Sequence, residues 1–197
     1  MWQVVLGITP TTVALFLATA LASALALALW GQLAPRSRAP RRTAAALLAG
    51  WLLLLLVATL TPSQPVGSAD ATVWWLPGAG LLDPGAQLPP EELSMLVRQQ
   101  FANAALFVPV PLLLRFAAPR GSAAGAFLTG VGLSVALEAA QLVMRAGRIA
   151  DAGDVLCAAA GTVIGLGLAA PAGPAVALVR RLMRRRVLRR RVVRAAP

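Results

Sequence analysis

The chain has 197 residues, of which 58% are hydrophobic and only 13% are charged, and its mean hydropathy is +0.75. Soluble domains carry about 25% charged residues, so this composition excludes an ordinary water-soluble fold and predicts an integral membrane protein. The net charge of +11 comes from arginines that stand beside apolar runs. This placement favours membrane topology and anionic lipid over nucleic acid as the reason for the charge.

The cysteine and histidine counts exclude several kinds of site. The chain has one cysteine, Cys157, and no histidine. An intramolecular disulfide, a Ser-His-Asp triad and a His-ligated zinc or haem are therefore excluded. Because no histidine base exists to activate it, Cys157 is interpreted as a packing residue and not as a nucleophile. No cofactor and no metal ion are expected.

Long apolar segments predict an all-α bundle of five transmembrane helices. The predicted spans cover residues 4–30, 43–60, 98–116, 122–144 and 154–179. The first segment has no positive charge before it and is longer than the apolar core of a signal peptide, so a retained span is favoured over a cleaved signal. The sequence thus predicts one transmembrane domain over residues 1–179, followed by an Arg-rich cytoplasmic tail over residues 180–197.

The distribution of arginine predicts the orientation of these spans. Arginines concentrate in residues 32–42, 115–120 and 180–194, whereas residues 61–97 hold four acidic residues and no arginine. By the positive-inside rule, the N-terminus is expected outside and the C-terminus inside, with the arginine tail on anionic lipid headgroups. The Trp74-Trp75-Leu76 segment of the outer loop is too short to span a membrane and is expected at the headgroup level.

Polar residues gather near the predicted outer ends of three spans. Ser134, Glu138, Gln141 and Arg145 are spaced 4, 3 and 4, which places them on one face of the fourth span. Glu138 lies six residues before Met144, or about 9 Å below the helix end. The candidate binding residues are Asn103, Ser134, Glu138, Gln141, Arg145, Arg148, Asp151 and Asp154.

Two compatible interpretations follow for this charged set. An ionisable group inside a span costs a few kcal/mol or more, so Glu138 needs a partner, either Arg145 on its own face or Arg148 across the turn. In the first interpretation, the charges only fix the hairpin of spans four and five. In the second, they also line an outward-facing pocket that binds a polar headgroup or substrate.

The glycine pair Gly161 and Gly165 forms a GxxxG motif in the fifth span. Such a motif lets two helix backbones approach closely in a membrane. Packing against span four of the same chain is favoured over dimerisation, and the oligomeric state is left open.

In order and spacing, these residues resemble the VanZ-like family of small bacterial membrane proteins. The matching positions are Asn103, Phe107, Pro109, Ser134, Glu138, Gln141, Arg148, Asp151, Asp154, Gly161 and Gly165. The resemblance covers about residues 50 to 168 and departs from the family pattern where Pro111 replaces a glycine and Ala158 an asparagine. It implies a multi-pass protein of the bacterial plasma membrane, in a family whose name-giving member is tied to teicoplanin resistance.

Three functions are compatible with these observations. The favoured one is a non-enzymatic protein that binds an envelope lipid or lipoglycopeptide. The second is an enzyme that uses Glu138, Asp151 and Asp154 as acid, base or hard-metal ligands on a lipid-linked phosphate or sugar. The third is a small transporter or flippase, which the short chain and the absence of inverted repeats disfavour.

Overall fold

The computed structural model describes residues 9–34, 36–62, 64–68, 70–76, 89–147 and 150–170, together with 174, 177 and 178. Its helices are α1 (Pro10–Leu33), α2 (Ala39–Leu60), α3 (Pro90–Phe107), α4 (Pro109–Ala117), α5 (Ala123–Met144) and α6 (Ala152–Ala169). Two short strands, β1 (Val73–Trp74) and β2 (Ala150–Asp151), lie between them. The five predicted spans are confirmed as helices long and apolar enough to cross a membrane, with α3 and α4 together forming the third.

Local sequence sets where these helices begin and end. Each of the first four helices has a proline in its first turn, where the missing N–H costs no hydrogen bond. Helix α3 accordingly begins at Pro90, before the predicted start at residue 98. Helix α6 ends at Ala169, two residues before Pro171 and short of the predicted end at residue 179. Residues 1–8, where the first span was predicted to begin, and the arginine tail lie outside the described residues.

Span three is broken at Val108, between α3 and α4. Pro109 has no N–H to donate, and the Ala105 carbonyl accepts from the Val108 N–H at 3.2 Å, one residue short of the α-helical pattern. The indole N–H of Trp51 on α2 donates to the Leu106 carbonyl at 2.8 Å. Val108 is only 1% exposed. A helix break is tolerated at membrane depth when protein surrounds it, as it does here.

Helix α6 packs in parallel against span three through its two glycines. A Cβ atom at Gly161 would lie 1.9 Å from the Ala104 carbonyl oxygen, and one at Gly165 would lie 2.1 Å from the Val108 carbonyl oxygen. The expectation that this pair packs against span four is therefore wrong. Span three runs in the same direction as α6, so residues four apart on one helix meet residues four apart on the other.

Span four contacts α6 through a different pair of residues. A Cβ at Gly130 on α5 would lie 2.5 Å from the hydroxyl oxygen of Thr162. Thr162 is fully buried, and its hydroxyl donates to the Ala158 carbonyl at 2.8 Å. Helix α6 thus has span three on one side and span four on another, which makes it the central helix of these three.

Two apolar clusters form the core. One joins α1, α2 and α4 and comprises Ala24, Leu27, Ala28, Ala44, Leu112 and Leu113. The other joins α2, span three, α5 and α6 and comprises Leu55, Phe107, Val110, Leu137 and Ala158. The second cluster lies below the candidate polar residues and fixes the helices that carry them.

The two ends of the bundle differ in charge. We call the end where α2 and α5 finish and where α3 and α6 begin the polar end. The opposite end carries the α1–α2 and α4–α5 turns with their arginines. There Arg41 donates to the Ala117 carbonyl at 3.4 Å and Arg115 donates to the Gly121 carbonyl, so both turns are held by guanidinium contacts to backbone.

Candidate functional site

Glu138 links α5 to the start of α6 at the polar end. Its Oε2 atom accepts a hydrogen bond from the backbone N–H of Asp151 at 3.0 Å, and both residues are half-buried. A carboxylate that accepts from backbone N–H is stabilised in its charged form by a fixed dipole. This contact shows how a carboxylate about one helical turn from mid-span is accommodated: a main-chain N–H from the following turn donates to it. It supports the hairpin interpretation of Glu138.

Asp151 also caps the helix that follows it. Its side chain accepts from the Gly153 N–H at 2.8 Å, as expected of an aspartate before the first turn of a helix. Asp154 lies in that first turn, half-buried, where a negative charge is favoured by the helix dipole. Arg148, the other predicted member of this turn, lies outside the described residues.

The remaining members of the predicted polar face point into the bundle. Gln141 is 7% exposed and its amide donates to the Thr59 carbonyl at 3.0 Å, which ties α5 to the end of α2. Ser134 is 3% exposed, two turns deeper on the same face. Ser134 and Gln141 therefore lie on one buried face of α5, which belongs to the packing of the bundle.

Arg145 does not lie on the α5 helix as the spacing suggested. The helix ends at Met144, and Arg145 adopts a left-handed conformation with φ of +48° while its N–H donates to the Gln141 carbonyl. Its guanidinium lies 3.9 Å from Asp70 and is half exposed. The sequence offered Arg145 as a partner for Glu138, whereas the ion pair in the structure joins it to the loop between α2 and α3.

Part of that loop is fastened over the α5–α6 turn. We call residues 64–68 and 70–76 the strap. Backbone N–H groups of Gln64 and Gly67 donate to the Ala146 and Met144 carbonyls at 3.1 and 3.0 Å. Strand β1 then pairs in parallel with β2, with Val73 opposite Ala150 and Trp74 opposite Asp151. The strap thus covers the turn that contains the candidate site.

Span three adds an amide contact that the sequence did not single out. The Cys157 thiol donates to Gln100 Oε1 at 2.8 Å, so Cys157 does more than fill space. Asn103 lies one turn further along α3 and is half-buried. Gln100 could have been noticed because it is polar within an apolar span. The carbonyl of Thr59 could not, because a backbone acceptor leaves no mark in the side-chain pattern.

Ala158 occupies the position where the family pattern has an asparagine. It is fully buried among apolar side chains of α2, span three and α5. An amide at this point would need hydrogen-bond partners within an apolar core. In this chain the position contributes to packing.

Among the described residues, a small recess lies at the polar end. A recess lined by Thr59, Leu60, Thr61, Pro62, Gln141, Met144 and Ala146 has a volume of about 10 Å³, which holds roughly one water molecule. A headgroup does not fit there, so a ligand at this recess would bind on its surface. Within the part of the chain that the structure describes, no three His, Cys, Asp or Glu side chains are grouped as metal ligands would be.

Comparison with known proteins identifies a family. The VanZ/LLP1 family matches residues 45–176, which is more than half of the chain and includes most of α2, the strap and all helices from α3 to α6. No curated protein and no solved structure matches this chain. The match agrees with the family expected from the sequence. With five helices able to span a membrane, the chain is a multi-pass membrane protein that belongs to the VanZ/LLP1 family.

Proposed function

We propose that this protein is a non-enzymatic component of the bacterial plasma membrane whose polar end faces outward and binds the headgroup of an envelope lipid or lipoglycopeptide. Membership of the VanZ/LLP1 family supports a place in the cell envelope. The arginine-rich turns at the opposite end favour a cytoplasmic location for that end. Altered sensitivity to teicoplanin-type glycopeptides is the expected consequence in cells.

One observation carries this proposal: polar groups from several spans meet at one end, and a guanidinium is presented there. The Arg145 side chain is half exposed and is held at the end of α5 beside the strap. A guanidinium binds phosphate or carboxylate through paired hydrogen bonds. Beneath it, Glu138 and Asp151 fix the turn. The polar end therefore has a turn held in place by hydrogen bonds and, above it, an accessible guanidinium that could bind an anionic headgroup.

A thermal-shift titration of purified protein tests binding. The probes are lipid II, undecaprenyl phosphate and a lipoglycopeptide, each added to wild type, Arg145→Gln and Glu138→Gln. A ligand at 100 times its Kd stabilises the folded state by about 2.7 kcal/mol. We expect one probe to stabilise wild type and to lose most of this effect in Arg145→Gln, because the glutamine carries no charge. Glu138→Gln reports whether the carboxylate charge also contributes, since the glutamine oxygen can still accept from the Asp151 N–H.

Glu91→Gln is the matched control. Glu91 is an exposed acidic residue in the first turn of α3, at the same end of the bundle. It should respond to the ligand as wild type does. Equal stabilisation of wild type and Arg145→Gln, or no response of wild type to any probe, contradicts the proposal.

Complementation tests the role in cells. In a strain whose teicoplanin sensitivity changes when this gene is deleted, wild type should restore the original sensitivity. Arg145→Gln, Glu138→Gln, Arg148→Ala and Asp154→Asn are then compared at equal membrane abundance. If all four restore sensitivity fully, the polar end is not the functional site.

A further inference from the structure

The strap ends in three apolar residues that the protein leaves uncovered. Trp74 is 39% exposed, Trp75 is 80% exposed and Leu76 is 76% exposed. Trp74 is the second residue of β1, and Trp75 and Leu76 follow it, so the pairing with β2 fixes the backbone at the start of this segment. A group of large apolar side chains that is exposed on a fixed backbone indicates contact with an apolar partner.

The level of the strap along the bundle indicates what that partner is. The strap is bonded to the carbonyls of Met144 and Ala146, at the very end of α5. Helix α5 has 22 residues; at 1.5 Å per residue it is about 33 Å long, close to the roughly 30 Å thickness of a bilayer's hydrocarbon core. The strap therefore lies where the hydrocarbon meets the headgroups, the layer in which tryptophan is enriched.

We propose that Trp75 and Leu76 insert into the headgroup boundary of the bilayer at the polar end, and that this lipid contact holds the strap on the α5–α6 turn. The strap is then an interfacial membrane anchor. This inference depends only on the membrane-spanning bundle, and it holds whichever side of the membrane the polar end faces and whatever ligand it binds.

The proposed anchor is connected through β1 and β2 to the backbone that positions Glu138. Trp74 in β1 pairs with Asp151 in β2, and the Asp151 N–H donates to the Glu138 carboxylate. The neighbouring Ala150 N–H donates to the Thr72 carbonyl at 3.1 Å. If the strap left the lipid, the β1–β2 pairing that supports one side of the α5–α6 turn would be weakened. Lipid contact at Trp75 thus stabilises the geometry around Glu138.

Spin-label accessibility in liposomes of phosphatidylethanolamine and phosphatidylglycerol tests the insertion. The background is Cys157→Ser, whose hydroxyl can donate to Gln100 as the thiol does. Single labels are placed by Leu76→Cys, by Leu156→Cys on the exposed apolar face of α6 and by Gln64→Cys as a polar reference on the strap. We expect the label at residue 76 to resemble that at 156, with more collisions with oxygen than with a water-soluble nickel chelate.

Two results overturn the insertion. One is a label at residue 76 that meets the nickel chelate as freely as the label at 64. The other is a label at 76 shielded from both reagents, which would place it against protein and not lipid.

Hydrogen exchange of the peptide containing Ala150 tests the coupling in the same liposomes. Trp75→Ala combined with Leu76→Ala should raise exchange at Ala150 about tenfold, because local opening controls this amide. Leu156→Ala combined with Val163→Ala removes exposed apolar side chains from α6 and is the matched control, with wild-type exchange expected. Unchanged exchange in the strap variant contradicts the coupling.

Discussion

At the scale of single residues, the close approach of α6 to span three depends on Gly161. The space for a side chain there is occupied by the Ala104 carbonyl, a backbone atom that cannot rotate away. Gly161→Ala should therefore force α6 away from span three. Overpacking costs about 1–3 kcal/mol and occasionally more, and the upper part of that range is expected here. Unfolding in mixed micelles, followed by loss of helix signal, measures it.

Gly167 provides the control for this substitution. It lies in the same helix, and a Cβ there would have nothing within 4 Å. Gly167→Ala should be neutral or stabilising by up to about 1 kcal/mol, because alanine favours the helix. Similar losses from both substitutions would show that the contact at Ala104 is not the cause.

Arg145 combines an unfavourable backbone conformation with an exposed guanidinium. Its φ of +48° is left-handed, which suits glycine and costs other residues about 1–2 kcal/mol. The unfolding free energy of Arg145→Gly should therefore exceed that of Arg145→Ala by about 1 kcal/mol, although both lack the arginine side chain. This difference is measured as a higher denaturant midpoint. Equal midpoints would mean that the turn relaxes. Both variants lack the guanidinium but differ in backbone strain. If both lose the response to ligand, that loss comes from the missing side chain and not from the strain.

The common face of Ser134 and Gln141 could be predicted from spacing, because a helix places residues 4 and 3 apart on one face. The position of Arg145 could not. Continuing the same spacing put it on that face, but α5 ends one residue earlier and the left-handed cap turns the side chain toward Asp70. Where this helix ends depends on local sequence and also on the strap, whose backbone N–H groups donate to the Met144 and Ala146 carbonyls.

At the scale of elements, the break in span three is supported from outside by α2. The Trp51 indole donates to the Leu106 carbonyl next to the break. Trp51→Phe keeps the aromatic contact with Phe16 but removes the donor. Leaving a partly buried carbonyl without this bond should cost about 1–3 kcal/mol in unfolding free energy.

Trp30→Phe is the comparison for that measurement. Trp30 lies near the end of α1 and is 41% exposed. Trp30→Phe should lower the unfolding free energy by much less than Trp51→Phe does, because less of the Trp30 side chain is packed. If the two variants are equally stable, the hydrogen bond at the break contributes nothing measurable.

The α5–α6 hairpin depends on the bond from Asp151 N–H to Glu138. Glu138→Ala removes the acceptor, whereas Glu138→Gln retains one. We expect Glu138→Ala to lose about 1–3 kcal/mol and Glu138→Gln clearly less. Equal losses in the two variants would indicate that the charge, and not the bond itself, stabilises the hairpin, because both variants lack the carboxylate.

The elements could be predicted more fully than their partners. Apolar runs are long enough to identify each span, and Pro109 accounts for the break in the third. The glycine pair was assigned to the wrong neighbour because GxxxG specifies a close approach without saying which helix approaches. That choice rests on the parallel course of α6 and span three, which pairs Gly161 and Gly165 with carbonyls one turn apart.

At the scale of the whole molecule, the orientation in the membrane is the next prediction to test. We expect the polar end outside, because the turns at the other end, within residues 32–42 and 115–120, are rich in arginine. In the Cys157→Ser background, Ser68→Cys and Arg120→Cys are treated on intact cells with a membrane-impermeant maleimide. Residue 68 should be labelled, and residue 120 only after the cells are opened. Labelling of residue 120 in intact cells would reverse the orientation.

The sequence by itself determined that this protein lies in a membrane, that it has five spans and that its polar groups gather near one end. These follow from composition and periodicity, which act locally along each helix. Only the tertiary structure decided what those groups contact. Glu138 and Gln141 find backbone atoms from other segments, and the strap closes over the turn through main-chain hydrogen bonds. Backbone donors and acceptors are the same at every residue, so which of them meet is set by packing alone.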